Sequence, residues 1–400
     1  MEHRKYLPVA GAVYLNYAML GIATIIISQY SDYFQSAWST NLAGISQVIS
    51  MVGIGRILTI LFAGPASDRF GRKIIAVISC ISTLIFFVGL IFSSNILFAC
   101  ITALFFGLAQ SVADASCYPI LSEAFLDRAP SMLPLVKAMM SIAQFILPFL
   151  VATFSNAVPL LIIFSIIVIL NAIFFMMCKY APQTTQKLDK KVREQEDPQA
   201  NVIEKHSPIW EGVPLVFIGF SSCITFYLVT QYMPAFGKNI LNLSSNASAS
   251  LISWYAMASL ISVFLTSVIV TRIKPIIIVI LYPLISVVFL IALVLYPSAM
   301  LAKMTGIVVG FFAAGGVWQL GLSILTTFFP NAKGKVTSYY SFAAALSYWI
   351  GPALCSILIT DEPRSINNAF WLDIVITFMG IAAALIVYIK GKSRKNAAVK

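Results

Sequence analysis

Long apolar runs alternate with short polar stretches along the whole chain. Runs long enough to cross a bilayer fall at about 6–30, 42–66, 74–94, 96–125, 134–154 and 157–180. After a polar stretch over 181–211, six more fall at about 212–236, 249–270, 275–297, 302–328, 336–360 and 366–390. A transmembrane helix needs roughly 20 mostly apolar residues. In hydrocarbon no water satisfies a stray backbone N–H or C=O, so runs of this length predict helices rather than open strands. The predicted fold is all-α and integral to the membrane: twelve transmembrane helices in two six-helix pseudo-repeats. The predicted organisation is a six-helix bundle over 1–180, a cytoplasmic linker over 181–211, and a second bundle over 212–400 ending in a basic cytoplasmic tail.

Composition supports the same class. The 400 residues are 60% hydrophobic and 10% charged, whereas soluble domains carry about 25% charged residues. Such a chain cannot cover a water-facing surface. The formal net charge of +11 sits in short clusters between apolar runs, not on a continuous basic face, which argues against a nucleic-acid partner. With the N-terminus inside, 21 Lys and Arg fall on the cytoplasmic side. Only Lys238, Lys303 and Arg364 fall outside, 3 in all. That asymmetry places both termini in the cytoplasm. No small-residue cleavage site follows the first run, so no signal peptide is expected. The six cysteines lie in or beside apolar runs with no C-x-x-C pair, which predicts buried thiols rather than a disulfide framework or a metal site. His3 and His206, the only histidines, lie outside the runs, so a histidine proton relay in the membrane is excluded. No G-x-x-x-x-G-K-[ST] segment and no nucleophile–base set occur. The chain is therefore not expected to be an enzyme or to hold a cofactor.

The two halves carry matching features. Ser122-Glu123-Ala124-Phe125 ends the fourth run and Thr326-Thr327-Phe328-Phe329 ends the tenth; Pro148 and Pro352 interrupt the fifth and eleventh. Glu123 and Thr327, like the two prolines, are 204 positions apart. Six plus six helices in parallel repeat, with a solute site between the halves, is an architecture of secondary transporters.

The strongest motif joins the second and third runs: Gly64-Pro65-Ala66-Ser67-Asp68-Arg69-Phe70-Gly71-Arg72-Lys73. One glycine is expected to permit close helix contact and the other a tight turn, while the basic residues hold the segment inside. The motif resembles the G-x-x-x-D-R-x-G-R-K signature of the major facilitator superfamily. Two longer stretches, Asp114 through Phe125 with Lys137 through Gln144, and Ala313 through Pro330 with Lys333 through Ser338, resemble bacterial inner-membrane transporters of the YdiM/YdiN type. The resemblance runs from the first helix to the twelfth. Two positions depart from that group: Ser116 stands where it tends to have glycine, and Thr327 where it tends to have glutamate. The fifth run, Ile142 to Pro148, lacks the glycines of the drug/proton antiporter motif. The resemblance implies a permease of the bacterial cytoplasmic membrane that works by alternating access. It further implies that Gly64, Asp68, Arg69, Gly71, Arg72 and Lys73 form a latch between the halves. Glu123 is expected to pair with Arg72 or Arg69 as part of that gate.

Ionisable residues deep in a span are costly and mark candidate function. Arg56 lies twelve residues before Asp68, about 18 Å from the cytoplasmic end. Asp114 lies thirteen residues before Asp127, about 20 Å deep. Both helices run inward, so the two charges are expected to meet near the midplane. Asp114 is then a fixed counter-ion, a protonatable coupling group, or half of a purely structural pair. Lys137, nearer the cytoplasm, either steers an anion or snorkels to the interface; Gln144 lies two turns deeper. Two cations with one acid suit a small anionic or polar organic solute. Asn16 and Tyr17 on the first run are further candidates. So are Tyr227, Gln231, Trp254, Tyr255, Gln319, Tyr340 and Tyr348 in the second half, although lipid or core packing is the favoured account of any single aromatic. Asp373, in the outer part of the last run, is either an outer pairing group or inert. The expected function is proton-coupled symport by a monomer in the lipid bilayer. An exporter or antiporter, or a transport-inactive receptor, remains the alternative.

Overall fold

A computed structural model describes residues 2–181, 207–270, 272–329 and 332–398. Twelve of its helices are long and apolar enough to cross a membrane. In the first half these are α1 (Leu7–Gln29), α2 (Leu42–Phe70), α3 (Arg72–Phe92), α4 (Ile96–Ala124), α5 (Ala129–Thr153) and α6 (Ala157–Met177). In the second they are α7 (Val213–Asn239), α8 (Ser245–Ile269), α9 (Pro275–Leu295), α10 in two pieces (Ala299–Val308 and Val317–Phe328), α11 (Lys333–Leu358) and α12 (Asn367–Ala398). A short helix, Ser31–Ala37, lies between α1 and α2. Most of the stretch expected to be a linker, 182–206, lies outside the described residues.

One end of the bundle carries the 64–73 segment and is called the basic end; the other is the far end. Helices that start at the far end begin on polar caps. Asn41, Asn95, Asn156, Ser244 and Ser298 each accept a backbone N–H of the first turn of α2, α4, α6, α8 and α10. These side chains satisfy donors that a helix start leaves open.

Three local features differ from the sequence reading. The 64–73 segment is barely a loop, because α2 continues through Phe70 and only Gly71, at φ 93°, separates it from α3. That left-handed turn is open to glycine at no steric cost. Gly64, expected to allow close helix contact, faces open space: nothing lies within 4 Å of where a Cβ would stand. The tenth span is also broken. A π-helical turn, Val309–Ala313, precedes Gly316 at φ 112°, and Val317 starts a new helix. Ser262 Oγ of α8 donates to the Phe311 carbonyl at 2.5 Å, satisfying a backbone group near the break. Finally, α12 runs through Ala398, past the expected end at 390.

The halves meet most extensively where α2 packs on α11 and α5 on α8, with α1 against α7. Gly53 makes the first of these contacts possible, since a side chain there would run into the Tyr348–Trp349 backbone. At the far end, polar contacts tie the halves together. Lys238 of α7 pairs with Asp32 at 2.5 Å, and Asn41 Nδ2 donates to Asp361 Oδ1 at 2.7 Å. Deeper, Gln231 Nε2 donates to the Thr24 carbonyl at 2.8 Å.

Candidate functional site

Glycine brings α2 and α4 together at mid-depth. A Cβ on Gly107 would meet the Val52 carbonyl and the Arg56 nitrogen, and one on Gly55 would meet the Leu104 carbonyl. The contact fixes Arg56 between the helices, where Ser111 Oγ donates to its carbonyl at 3.1 Å. From there Arg56 Nη2 reaches Asp114 Oδ2 at 2.8 Å and Nη1 reaches Gln110 Oε1 at 3.3 Å. The other oxygen of the carboxylate, Oδ1, accepts the Tyr17 hydroxyl of α1 at 2.8 Å. Arg56 therefore holds Asp114 through one nitrogen, not through a two-pronged fork. Its Nε is buried without a partner. The Arg56 side chain is 16% exposed and that of Asp114 38%, so the acid is the more accessible partner.

The second half closes over this pair with aromatic rings. The Arg56 guanidinium stands 4.9 Å from the Tyr348 ring centroid, a cation–π contact across the interface. Tyr348 packs on Tyr227 at 4.4 Å between centroids. From the first half, Tyr118 sets its ring edge-on to Tyr17 at 5.7 Å. Lys137 of α5 also crosses the interface, its Nζ lying 5.1 Å from the Phe226 ring centroid on α7. Among the described residues no carboxylate pairs with Lys137. Four helices of the first half (α1, α2, α4, α5) and two of the second (α7, α11) thus bring to the interface the Arg56–Asp114 pair with its rings and, beside α7, the Lys137–Phe226 contact. Such a mix of apolar walls and a few placed polar groups is typical of small-molecule sites.

Other candidates fall elsewhere. Asn16 is buried inside the first half, donating to Ser79 Oγ at 3.2 Å and accepting from Cys80 at 3.4 Å. Tyr340 is fully buried in the second half, where its hydroxyl donates to the Trp318 carbonyl at 2.8 Å and its ring lies against Gly219 and Gly321. Gln231 is spent on the bond to Thr24. Tyr255 and Gln144 are buried, whereas Trp254 and Gln319 are exposed. Asp373 is buried, and among the described residues no cation pairs with it. Three residues of the site were not singled out from the sequence: Gln110, Tyr118 and Phe226. Gln110 and Tyr118 lie four residues either side of Asp114, on one face of α4, so helical spacing alone could have found them.

At the basic end, Arg72 is the hub. Its Nε lies 3.2 Å from Glu123 Oε1, Nη1 lies 2.6 Å from Asp68 Oδ1, and Nη1 also donates to Ser67 Oγ at 2.9 Å. Arg69 lies over the Phe70 ring and Lys73 is exposed. Among the described residues, all the partners of Asp68, Arg69 and Arg72 belong to the first half, so no described contact links these three residues to the second half. Toward the far end, a polar cavity of about 240 Å³ opens between the halves, lined by Gln29, Asp32, Gln35, Lys238, Ser245 and Ser248 among others.

Comparison with known proteins agrees with this architecture. The sequence model of the major facilitator superfamily matches residues 8–352. The chain is 32% identical over 396 residues to the inner membrane transport protein YdiM of Escherichia coli (strain K12), covering 97% of this chain and 96% of the relative. It is 31% identical over 407 residues to the uncharacterized MFS-type transporter YfkL of Bacillus subtilis (strain 168), covering 97% and 98%. Among solved structures, a D-xylose-proton symporter superposes with a TM-score of 0.77 at 15% identity, over 96% of this chain and 97% of that one. The nucleoside transporter NupG does so at 0.71 and 14% identity, over 97% and 99%. Twelve spans in two halves, a central pair of opposite charges at their junction and full-length relatives establish that the chain belongs to the major facilitator superfamily.

Proposed function

We propose that this protein is a secondary active transporter that carries a small organic anion across the bacterial cytoplasmic membrane by alternating access. The observation that carries the reading is the charge balance at the interface. Arg56 and Lys137 bring two cations to the junction, and Asp114 neutralises only one. The residual positive charge, walled by Tyr17, Tyr118, Tyr227, Tyr348 and Phe226, suits a carboxylate attached to a small organic body. The single-pronged grip on Asp114 leaves guanidinium donors free to take a carboxylate oxygen.

In this reading the basic end faces the cytoplasm, in keeping with the positive-inside distribution, and both termini lie there. The far-end ties Lys238–Asp32 and Asn41–Asp361, with Gln29 Nε2 donating to the Ala249 carbonyl at 3.4 Å, then hold the outer side together, and the conformation faces inward. Proton coupling follows from Asp114. A proton arriving at Asp114 would release Arg56 for the solute, linking solute binding to protonation of one carboxylate; symport is the direction this supports. One chain supplies the whole site, so the working unit is a monomer.

The test is a thermal-stability screen of the purified protein against small carboxylates, neutral sugars and nucleosides. The proposal expects stabilisation by a carboxylate, since a ligand that binds only the folded state raises the unfolding temperature. Stabilisation by neutral compounds alone would overturn the substrate class.

A further inference from the structure

Asp373 lies in the second turn of α12 and is fully buried. An ionised carboxylate in such a place is held by a cation or by several donors, or it takes up a proton. Among the described residues no cation pairs with it. The basic residue of α7, Lys238, is bound to Asp32. α9 has none in its sequence, and Lys335 of α11 lies over the Tyr339 ring near the basic end. Arg364, in the turn before α12, is exposed. The titratable groups on the elements packed against α12 are Cys355, Tyr348, Tyr340 and Tyr339 on α11, Tyr227, Tyr232 and Cys223 on α7, Tyr282 on α9, and Glu211 in the turn before α7.

The hydrogen-bond count favours the protonated state. Asp373 Oδ1 and Thr377 Oγ1 are 3.2 Å apart, Thr377 Oγ1 and Thr225 Oγ1 are 2.7 Å apart, and Thr225 Oγ1 is 2.9 Å from the Ser221 carbonyl. These are three contacts in line, but a threonine hydroxyl has one hydrogen and the carbonyl has none. Two threonines carry only two hydrogens, so all three contacts are hydrogen-bonded only when Asp373 supplies the third; with the acid ionised, Thr377 donates to Oδ1 and one of the two contacts of Thr225 goes without a hydrogen. With the acid protonated, the chain runs in one direction: Asp373 donates to Thr377, Thr377 to Thr225, and Thr225 to the Ser221 carbonyl. The remaining oxygen, Oδ2, has no partner among the described residues. That is tolerable for a neutral carbonyl oxygen and costly for one carrying half a negative charge. A metal cation in its place would need several more oxygen ligands than this chain offers. Beside the two threonines lies a cavity of about 10 Å³, lined also by Ser221, Ser222 and Gly380, close to the room one water needs.

We infer that Asp373, with Thr377 and Thr225, is a proton-binding site of the second half, remote in sequence and in half from the Arg56–Asp114 pair. It is occupied in the resting protein, and its existence does not depend on which solute the central site takes. Infrared spectroscopy of purified protein in H2O and D2O tests it. At neutral pH the wild type should show the carbonyl stretch of a protonated carboxyl, shifted in D2O. The band should disappear in Asp373→Asn, persist in Asp114→Asn, and move in frequency in Thr377→Val. If Asp373→Asn fails to fold, labelling the aspartate carboxyls with carbon-13 replaces it, and the band must shift in the wild type. A wild type without the band at neutral pH, a band that survives Asp373→Asn, or one that neither the label nor Thr377→Val moves would overturn the inference.

Discussion

Tyr17 and Arg56 grip opposite oxygens of the same carboxylate: the tyrosine hydroxyl donates to Asp114 Oδ1 and the guanidinium to Oδ2, each at 2.8 Å. Asp114 is thereby tied to α1 and α2 at once, so a change in its charge is felt by two helices. Arg56 in turn touches Tyr348 of the other half. The carboxylate sits two contacts from the moving interface, which is where an alternating-access site must act.

Removing Asp114 should cost more than removing an exposed ion pair and less than breaking a fully buried one, because its side chain is 38% exposed. We expect Asp114→Ala to destabilise by about 2 kcal/mol, between the surface and buried limits. In a double-mutant cycle, Arg56→Ala with Asp114→Ala should cost less than the sum of the two singles. Thermal unfolding in detergent measures both; strict additivity would mean that the two residues do not interact in solution.

The Arg72–Glu123 pair is better shielded, with side-chain exposures of 8% and 4%. Glu123→Ala leaves the Arg72 guanidinium with Asp68 and Ser67 only. The expected loss is about 3 kcal/mol, at the lower end for a broken buried pair. Arg69→Ala, at an exposed site, should change unfolding by less than about 0.5 kcal/mol. Equal effects of the two variants would place Arg72 outside the structural hub.

Gly53 and Gly107 separate packing within a half from packing between halves. Gly107→Leu drives a side chain into the α2 backbone and should destabilise by about 1–3 kcal/mol or more. Gly53→Val meets the backbone of α11 instead, and that helix belongs to the other half. It should favour conformations in which α2 and α11 part, read as greater labelling of a cysteine placed at Gln35 in the far-end cavity. Unchanged labelling would mean that the α2–α11 contact does not govern access from that end.

The far-end ion pair between Asp32 and Lys238 is half-exposed, at 54% and 44%, and is worth at most about 1 kcal/mol to stability. Its importance is positional. A variant carrying Asp32→Cys and Lys238→Cys should cross-link under mild oxidation and lose solute exchange in proteoliposomes, with recovery on reduction. Full exchange by the cross-linked protein would show that the far end need not open.

The spans were legible because length and apolar content alone decide them, and the depth match of Arg56 and Asp114 followed from two helices running the same way. Direction around each helix was not legible. A span that is apolar on every side gives no stripe to orient it, so Asn16 and Tyr340 read like site residues although both turn into the core of their own half. Gly64 read as a contact glycine because its motif drew attention, while Gly53 and Gly55 of α2 and Gly107 of α4, outside the motif, make the close approaches. The break in α10 was visible only as Gly315-Gly316; the π turn before it depends on the Ser262–Phe311 bond, a tertiary contact.

The most direct test of the central claim is thermal stabilisation by whichever small carboxylate the ligand screen identifies, repeated on Arg56→Ala, Arg56→Lys and Lys137→Ala. The account predicts that the wild-type shift disappears in Arg56→Ala and falls in Lys137→Ala. It also predicts a reduced shift in Arg56→Lys, since an ammonium lacks the planar fork of a guanidinium. A shift of wild-type size in Arg56→Ala would contradict the account and return the Arg56–Asp114 pair to a structural role.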